Sequence, residues 1–290
     1  MDALSHLLSL YPVRTALDTR CRCATPYSMQ HVERPHGAAP YHLIVEGGAV
    51  LRMADHPPQL LAAGDLLVLP RGQAHTLDIG AQAAEGEFTE VLCGQFHFGA
   101  AAAGALVGAL PDLILLRTAG KPELVGLQSL VNLLRDESGA AQAGTCAVVS
   151  HLASALFALI LRGWLRQANA IPGLFALLAD QRLAPVLQHM LAAPEKAWTL
   201  PQLAGLCNMS RATFLRSFRK VSGGTPGELL MHIRMAQAAQ WLAQAHRGIA
   251  EVGAAVGYQS EAAFNRAFKR HMGEGPGRYR REAGAAQAAA

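Results

Sequence analysis

Two hydrophobic periods divide this chain. Between residues 41 and 98, apolar and polar positions alternate or gather in short apolar runs: YHLIVEGGAVLRM, LAAGDLLVLPRGQAHTL and FTEVLCGQFHFG. Gly and Pro punctuate these runs, which predicts short strands closing into a small barrel or sandwich. Beyond residue 120 the spacing changes to three and four. The stretches 122-PELVGLQSLVNLLRDES-138 and 145-TCAVVSHLASALFALILRGWLRQA-168 read as helices, the second apolar around much of its circumference. The segment 169-NAIPG-173 breaks the pattern and reads as the start of a linker. The predicted organisation is α+β: a β-barrel with two following helices over 1–168, a linker over 169–180 and an all-α domain over 181–290.

The helical third contains one pattern twice. Offset by 50, Ser210 falls on Ser260, Phe214 on Phe264, Arg216 on Arg266, Phe218 on Phe268, Gly223 on Gly273 and Pro226 on Pro276. A repeat of this kind marks a repeated structural unit. In the first copy Thr199 is an N-cap, Pro201 sits in the first turn, and Leu200, Leu203, Ala204 and Leu206 share a face. Asn208 then breaks the helix, since Asn accepts left-handed dihedrals at low cost. Ser210 caps a second helix whose Phe214, Phe218 and Val221 face inward and whose Arg211, Ala212, Leu215, Arg216 and Arg219 face outward. The second copy ends its first helix at Gly257 and caps the next with Ser260. Phe264 and Phe268 point inward there, and Glu261, Ala262, Asn265, Arg266 and Lys269 outward. Each copy is a helix-turn-helix. Gly253 costs its helix up to ~1 kcal/mol, which close helix packing at that point would explain. Trp198 and Trp241 are assigned to the core.

Between the copies, residues 226–245 carry no breaker after Gly227. About 18 helical residues would span roughly 27 Å. Successive major-groove faces lie ~34 Å apart, so such a spacer suits two reading heads on one side of a duplex. Charge agrees. Residues 180–290 hold 14 Lys/Arg against 7 Asp/Glu, whereas 1–179 hold 11 against 14. A basic module joined to a mildly acidic body points to a polyanion partner. With 51% hydrophobic and 16% charged residues the chain is globular. MDALSHLLSL lacks a basic n-region, and 147–165 is interrupted by His151 and Arg162, so neither a signal peptide nor a membrane span is expected. Five cysteines in no finger spacing suit reduced thiols in the cytoplasm.

The stretches TLPQLAGLCNMSRATFLRSFRKVSGGTP, RMAQAAQWL, IAEVGAAVGYQSEAAFNRAFKR and GEGPGRYR resemble the DNA-binding domain of AraC/XylS-type transcriptional regulators. That resemblance implies that the second helix of each motif enters the major groove. Arg216 and Arg266 then read bases, while Lys220 and Arg270 contact phosphate. It also implies promoter DNA and RNA polymerase as partners. The helices after the barrel look like the dimerising helices of this class, giving a homodimer; the alternative is that they only close the barrel end. Leu215 and Ala262 depart from the commoner family pattern and bear on the target sequence.

The stretch 64-GDLLVLPRGQAH-75 resembles the second motif of cupin barrels, whose terminal His, here His75, can bind a metal. The first cupin motif is not intact: only His42, Glu46 and the more distant His31 and His36 lie nearby. An oxygenase-type metal triad is therefore not expected, nor is enzyme activity. MDALSHLLSL, Cys21, YHLIVEGG and Cys93 in VLCG resemble the reactive-chlorine-sensing regulators of the same family. The implied function is a DNA-binding activator switched by oxidation of Cys21 and Cys93. The alternatives are a small-molecule ligand in the barrel, or a cupin metalloenzyme fused to a DNA-binding domain. Cys21, Cys93, His42 and His75 are expected to meet. A nearby His would raise the thiolate fraction, or the four residues would hold a tetrahedral divalent metal such as zinc. Cys23 and Cys146 are read as bystanders and Cys207 as a helix-turn-helix core thiol.

Overall fold

The alternation between residues 41 and 98 becomes two antiparallel sheets. The computed structural model describes residues 2–11, 13–23, 27–35, 37–79, 88–99, 106–118, 121, 125–140, 142–167, 173–244 and 247–288. It divides into two units, one comprising Val13–Ala103 with Leu110–Asn169, the other Met1–Pro12, Gly104–Ala109 and Ala170–Ala290.

In the β unit the strands are β1 (Val13–Cys23), β2 (Tyr27–His31), β3 (Ala38–Glu46), β4 (Gly48–Met53), β5 (His56–Ala62), β6 (Leu66–Val68), β7 (His75–Ile79), β8 (Thr89–Phe98) and β9 (Ile114–Leu116). One sheet runs β1-β8-β3-β6-β9 and the other β2-β7-β4-β5. Side chains of alternate residues point to opposite faces of a strand. On β8, Val91 and Cys93 therefore enter the core with Ile44, Leu51, Leu67, Leu77 and Ile79. Phe96 and Phe98, offset by an odd number, meet Phe157 on the other face at ring centroid distances of 5.0 and 5.3 Å. Phe157 belongs to α3 (Thr145–Gln167), which pairs with α2 (Val125–Ala140). Among the described residues α3 is the helix long and apolar enough to cross a membrane. Its apolar stripe, including Ala153, Leu156, Ile160 and Leu161, is instead buried within this unit, and Ser154 Oγ donates to Val13 O.

Three strands lie outside the predicted β region. β1 pairs with β8 along its whole length. Cys21 accordingly sits within a sheet, opposite Val91. β2 and β9 are likewise additions.

The helical unit contains α1 (Ala3–Leu10), α4 (Gly173–Ala179), α5 (Ala184–Ala192), α6 (Leu200–Leu206), α7 (Arg211–Ser222), α8 (Pro226–Ala243), α9 (Ile249–Ala255), α10 (Glu261–Met272) and α11 (Pro276–Ala288). Thr199 and Gln202 form a capping box on α6, Ser210 caps α7, Thr225 and Glu228 form a box on α8, and Ser260 caps α10. Each such cap is worth about 1 kcal/mol. Phe214, Phe218, Phe264 and Phe268 are all fully buried, each contributing about 2–3 kcal/mol relative to exposure. α8 has the expected 18 residues. Gly253 meets Phe264, and a Cβ there would lie 2.9 Å from its Cγ, which accounts for the glycine.

Some details differ from the sequence reading. Leu200 is exposed, because it is the first residue of α6 and looks past the core. Trp198 and Trp241 are half-buried, each covered by a cation: Lys196 Nζ at 4.0 Å and Arg247 Cζ at 4.4 Å from the ring centroids. The repeat offset also changes within the motif. Met209 N bonds Ala204 O and Tyr258 N bonds Gly253 O, an offset of 49 before each turn. One extra residue in the second turn restores 50. α1 lies in this unit, with Leu7, Leu10 and Tyr11 buried and Gln240 Nε2 donating to Ser9 O at 2.9 Å.

Candidate functional sites

The capped second helices α7 and α10 each bury two phenylalanines and leave the opposite face bare. Arg211, Ala212, Leu215, Arg216 and Arg219 are exposed on α7, as are Glu261, Ala262, Arg266 and Lys269 on α10; Asn265 is half-buried. Among the described residues Arg211, Arg216, Arg219, Arg266 and Lys269 form no ion pair. Other cations of the unit are engaged. Arg278 pairs with Glu274 and Glu282 at 3.1 and 2.7 Å, and Arg234 donates to the carbonyls of Pro194, Glu195 and Lys196. Unpaired guanidinium groups on a helix face are free to bind phosphate or a guanine edge. The Oδ1 of Asn265 is buried with no hydrogen-bond partner.

The second site lies in the β unit and is built from two cross-strand pairs. His42 on β3 faces Cys93 on β8, and His31 on β2 faces His75 on β7. The pairs come from different sheets and meet between them. His42 Nδ1 lies 3.0 Å from Cys93 Sγ, and His42 Nε2 lies 2.8 Å from His75 Nε2. His75 Nδ1 is 2.9 Å from Gln73 O. His31 stacks on His75 with centroids 4.6 Å apart.

One carbonyl sets the direction of this chain. Gln73 O can only accept, so His75 Nδ1 donates and its Nε2 is an acceptor. His42 must then donate from Nε2, leaving Nδ1 as the acceptor for the Cys93 S–H. Burial, followed by the neighbouring imidazoles, pushes His42 well below the usual range. Burial likewise lowers His75 to about 4, against a partly compensating bond to Gln73. Both rings are therefore neutral at pH 7. In this resting arrangement Cys93 is a thiol that donates to a neutral imidazole.

Cys21 lies one step along the ladder. It is opposite Val91, while Thr19 is opposite Cys93, so Cys21 and Cys93 are diagonal neighbours on one face. Both line a pocket of about 250 Å³ with Tyr27, Met29, His31 and His42. Neither is in a disulfide. Diagonal Cβ separations approach 7–8 Å, against roughly 3.5–4.5 Å in a disulfide, so bridging requires β1 and β8 to shift.

The four expected metal ligands do not form one shell. The two nitrogens of an imidazole point apart, and those of His42 face Cys93 on one side and His75 on the other. A single ion cannot take His42, Cys93 and His75 together. Among the described residues, the group whose ligand atoms converge, all within 4.8 Å, is His31, His42 and His75. His31 enters because β2 pairs with β7, an adjacency that sequence spacing does not reveal. Glu46 is exposed at the end of β3, away from the cluster, and His36 and the Cys23 side chain lie outside the described residues. Cys146 is exposed. Cys207, expected in the core, is half-buried at the C-cap of α6, where burial and Asp180 raise its thiol pKa.

Comparison with known proteins matches both halves of the chain. A cupin family model matches residues 2–166, and a helix-turn-helix domain model matches residues 203–282. The chain is 32% identical to the RCS-specific HTH-type transcriptional activator RclR of Escherichia coli (strain K12), covering 97% of each chain. It is 29% identical to the HTH-type transcriptional regulator MtrA of Neisseria gonorrhoeae, covering 98% and 99%. It is 28% identical to a putative AraC-like transcription regulator of Streptomyces antibioticus, covering 97% and 99%. With a cupin domain ahead of a doubled helix-turn-helix and relatives matched end to end, the chain belongs to the AraC-type DNA-binding transcriptional regulators.

Proposed function

We propose that this regulator is an activator switched by oxidation of Cys93 and Cys21. The observation that carries the reading is the 3.0 Å approach of Cys93 Sγ to an unprotonated His42 Nδ1, beside a pocket that Cys21 also lines. Hypochlorous acid supplies the oxidant. Cys93 sulfur attacks its chlorine, His42 Nδ1 takes the thiol proton, and hydroxide leaves and recovers that proton as water. Cys21 sulfur then displaces chloride from the sulfenyl chloride, releasing its own proton and closing a disulfide. Two thiols lose two electrons to one oxidant. A relative whose name specifies RCS responsiveness supports the same direction.

The DNA-contact set is Arg211, Ala212, Leu215, Arg216 and Arg219 on α7, with Glu261, Ala262, Asn265, Arg266 and Lys269 on α10. Arg216 and Arg266 read bases. The protein acts in the cytoplasm on promoter DNA with RNA polymerase, as a homodimer through α2 and α3, and not as an enzyme. The test is a promoter reporter carrying Cys21→Ser or Cys93→Ser, exposed to hypochlorite. Loss of induction in either variant supports the redox switch. Full induction in both moves the reading to a small-molecule effector in the barrel.

A further inference from the structure

We propose that His31, His42 and His75 form a three-imidazole site for a divalent late transition-metal ion of the zinc and cobalt class. Their ligand nitrogens already lie within 4.8 Å of one another. The Nε2 of His31 is buried with no hydrogen-bond partner. A buried polar atom left unsatisfied costs roughly 1–3 kcal/mol, which coordination would relieve.

The surroundings fit an ion as well as the ligands do. A coordinating His normally donates its other ring N–H to a fixed acceptor. His75 Nδ1 has Gln73 O at 2.9 Å, and His42 Nδ1 has Cys93 Sγ at 3.0 Å. Binding at His42 Nε2 requires that ring's proton on Nδ1, where the Cys93 sulfur accepts it. Cys93 is thus an outer partner of the site and not a ligand.

The donor set selects the ion. Three neutral nitrogens without carboxylate suit zinc, cobalt, nickel or copper and disfavour magnesium or calcium. With Zn–N bonds near 2.05 Å, tetrahedral ligand nitrogens stand about 3.3 Å apart. The His42–His75 pair, now at 2.8 Å, must open by about half an ångström while His31 closes in. His31 can follow, because β2 is an edge strand and the side chain is only half-buried. Arg34 lines the same pocket, and its positive charge weakens cation binding below that of a closed structural zinc site.

An ion on His42 Nε2 and proton uptake by His42 Nδ1 exclude one another on the same ring, so the metal site is tested by metal binding alone, without reference to oxidation. The full chain, stripped by chelator, is titrated with Zn(II) against a competing chromophoric chelator, and with Co(II) by absorption spectroscopy. One ion per chain is expected, with four-coordinate cobalt bands and no thiolate charge-transfer band. His31→Ala is expected to weaken binding at least ~10-fold, since losing even an outer-sphere partner costs that much. X-ray absorption of the zinc-loaded wild type keeps the test independent of variant folding and should give imidazole scatterers without sulfur. Absence of stoichiometric binding, unchanged affinity in a folded His31→Ala variant, or a sulfur scatterer would each overturn the proposal.

Discussion

Gly257→Ala places a methyl group in the turn of the second helix-turn-helix, where the backbone φ is +90°. That value lies outside the narrow left-handed region open to L-residues, which costs an Ala about 1–2 kcal/mol. The new Cβ would also stand 2.5 Å from Glu195 O and 2.9 Å from Arg234 Nη2. Both belong to one network, in which Arg234 donates to Pro194 O at 2.7 Å, Lys196 O at 3.1 Å and Glu195 O at 3.2 Å. Displacing the guanidinium sacrifices at least one charge-assisted hydrogen bond, worth about 1.5–3 kcal/mol. The combined loss is about 2.5–5 kcal/mol, a large share of the 5–15 kcal/mol that holds a typical domain. Asn208 occupies the same place in the first motif at φ 52°, inside the left-handed region, so Asn208→Gly should change stability by no more than about 1 kcal/mol. Urea unfolding of the full chain, followed by tryptophan fluorescence (Trp198 and Trp241 both lie in the helical unit), reads the difference, and promoter binding reads its consequence. The reasoning is refuted if Gly257→Ala leaves the midpoint and the promoter affinity unchanged, or if Asn208→Gly costs more.

Arg216→Ala and Arg266→Ala should each relax base preference at a separate point of the operator, by about 1–3 kcal/mol for a bidentate guanine contact. A selection from randomised DNA checks this, and equal weakening on all sequences would make them phosphate contacts. Promoter binding should fall steeply with salt, the log–log slope steepening by about 0.9 for each phosphate neutralised. A flat profile contradicts the basic face. The metal-free chain should also lose stability as pH falls from about 6.5 to about 4, because unfolded His75 takes a proton in that window and folded His75, held at about 4, does not. The loss for this residue is about 3 kcal/mol, and His75→Gln should flatten that limb of a pH–stability curve measured in chelator.

The two motifs were legible because their signals are local. Caps at Thr199, Ser210 and Ser260 and phenylalanines four residues apart need no distant partner to be recognised. Even the close contact at Gly253 followed from the helix cost of glycine. The β unit was legible only where one face is buried. β1 carries Arg14, Asp18, Arg20 and Arg22, so no apolar alternation announces it, and β2 is an edge strand with most of its residues exposed. His42, His75 and Cys93 could be placed together from a motif and a face. The role of His31 could not, because it depends on pairing across 44 residues of sequence. The order of protons through His42 depends on a single carbonyl, at Gln73.

The central claim is that oxidation at Cys93 and Cys21 changes what the DNA-binding helices do. It is tested most directly on one sample of purified full chain, treated with hypochlorite, split between peptide mass spectrometry and transcription from the target promoter in vitro. The account predicts a Cys21–Cys93 linked peptide whose yield tracks transcription, and silence from Cys93→Ser under the same treatment. Transcription that rises while both thiols remain reduced, or that persists at full strength in Cys93→Ser, would contradict it.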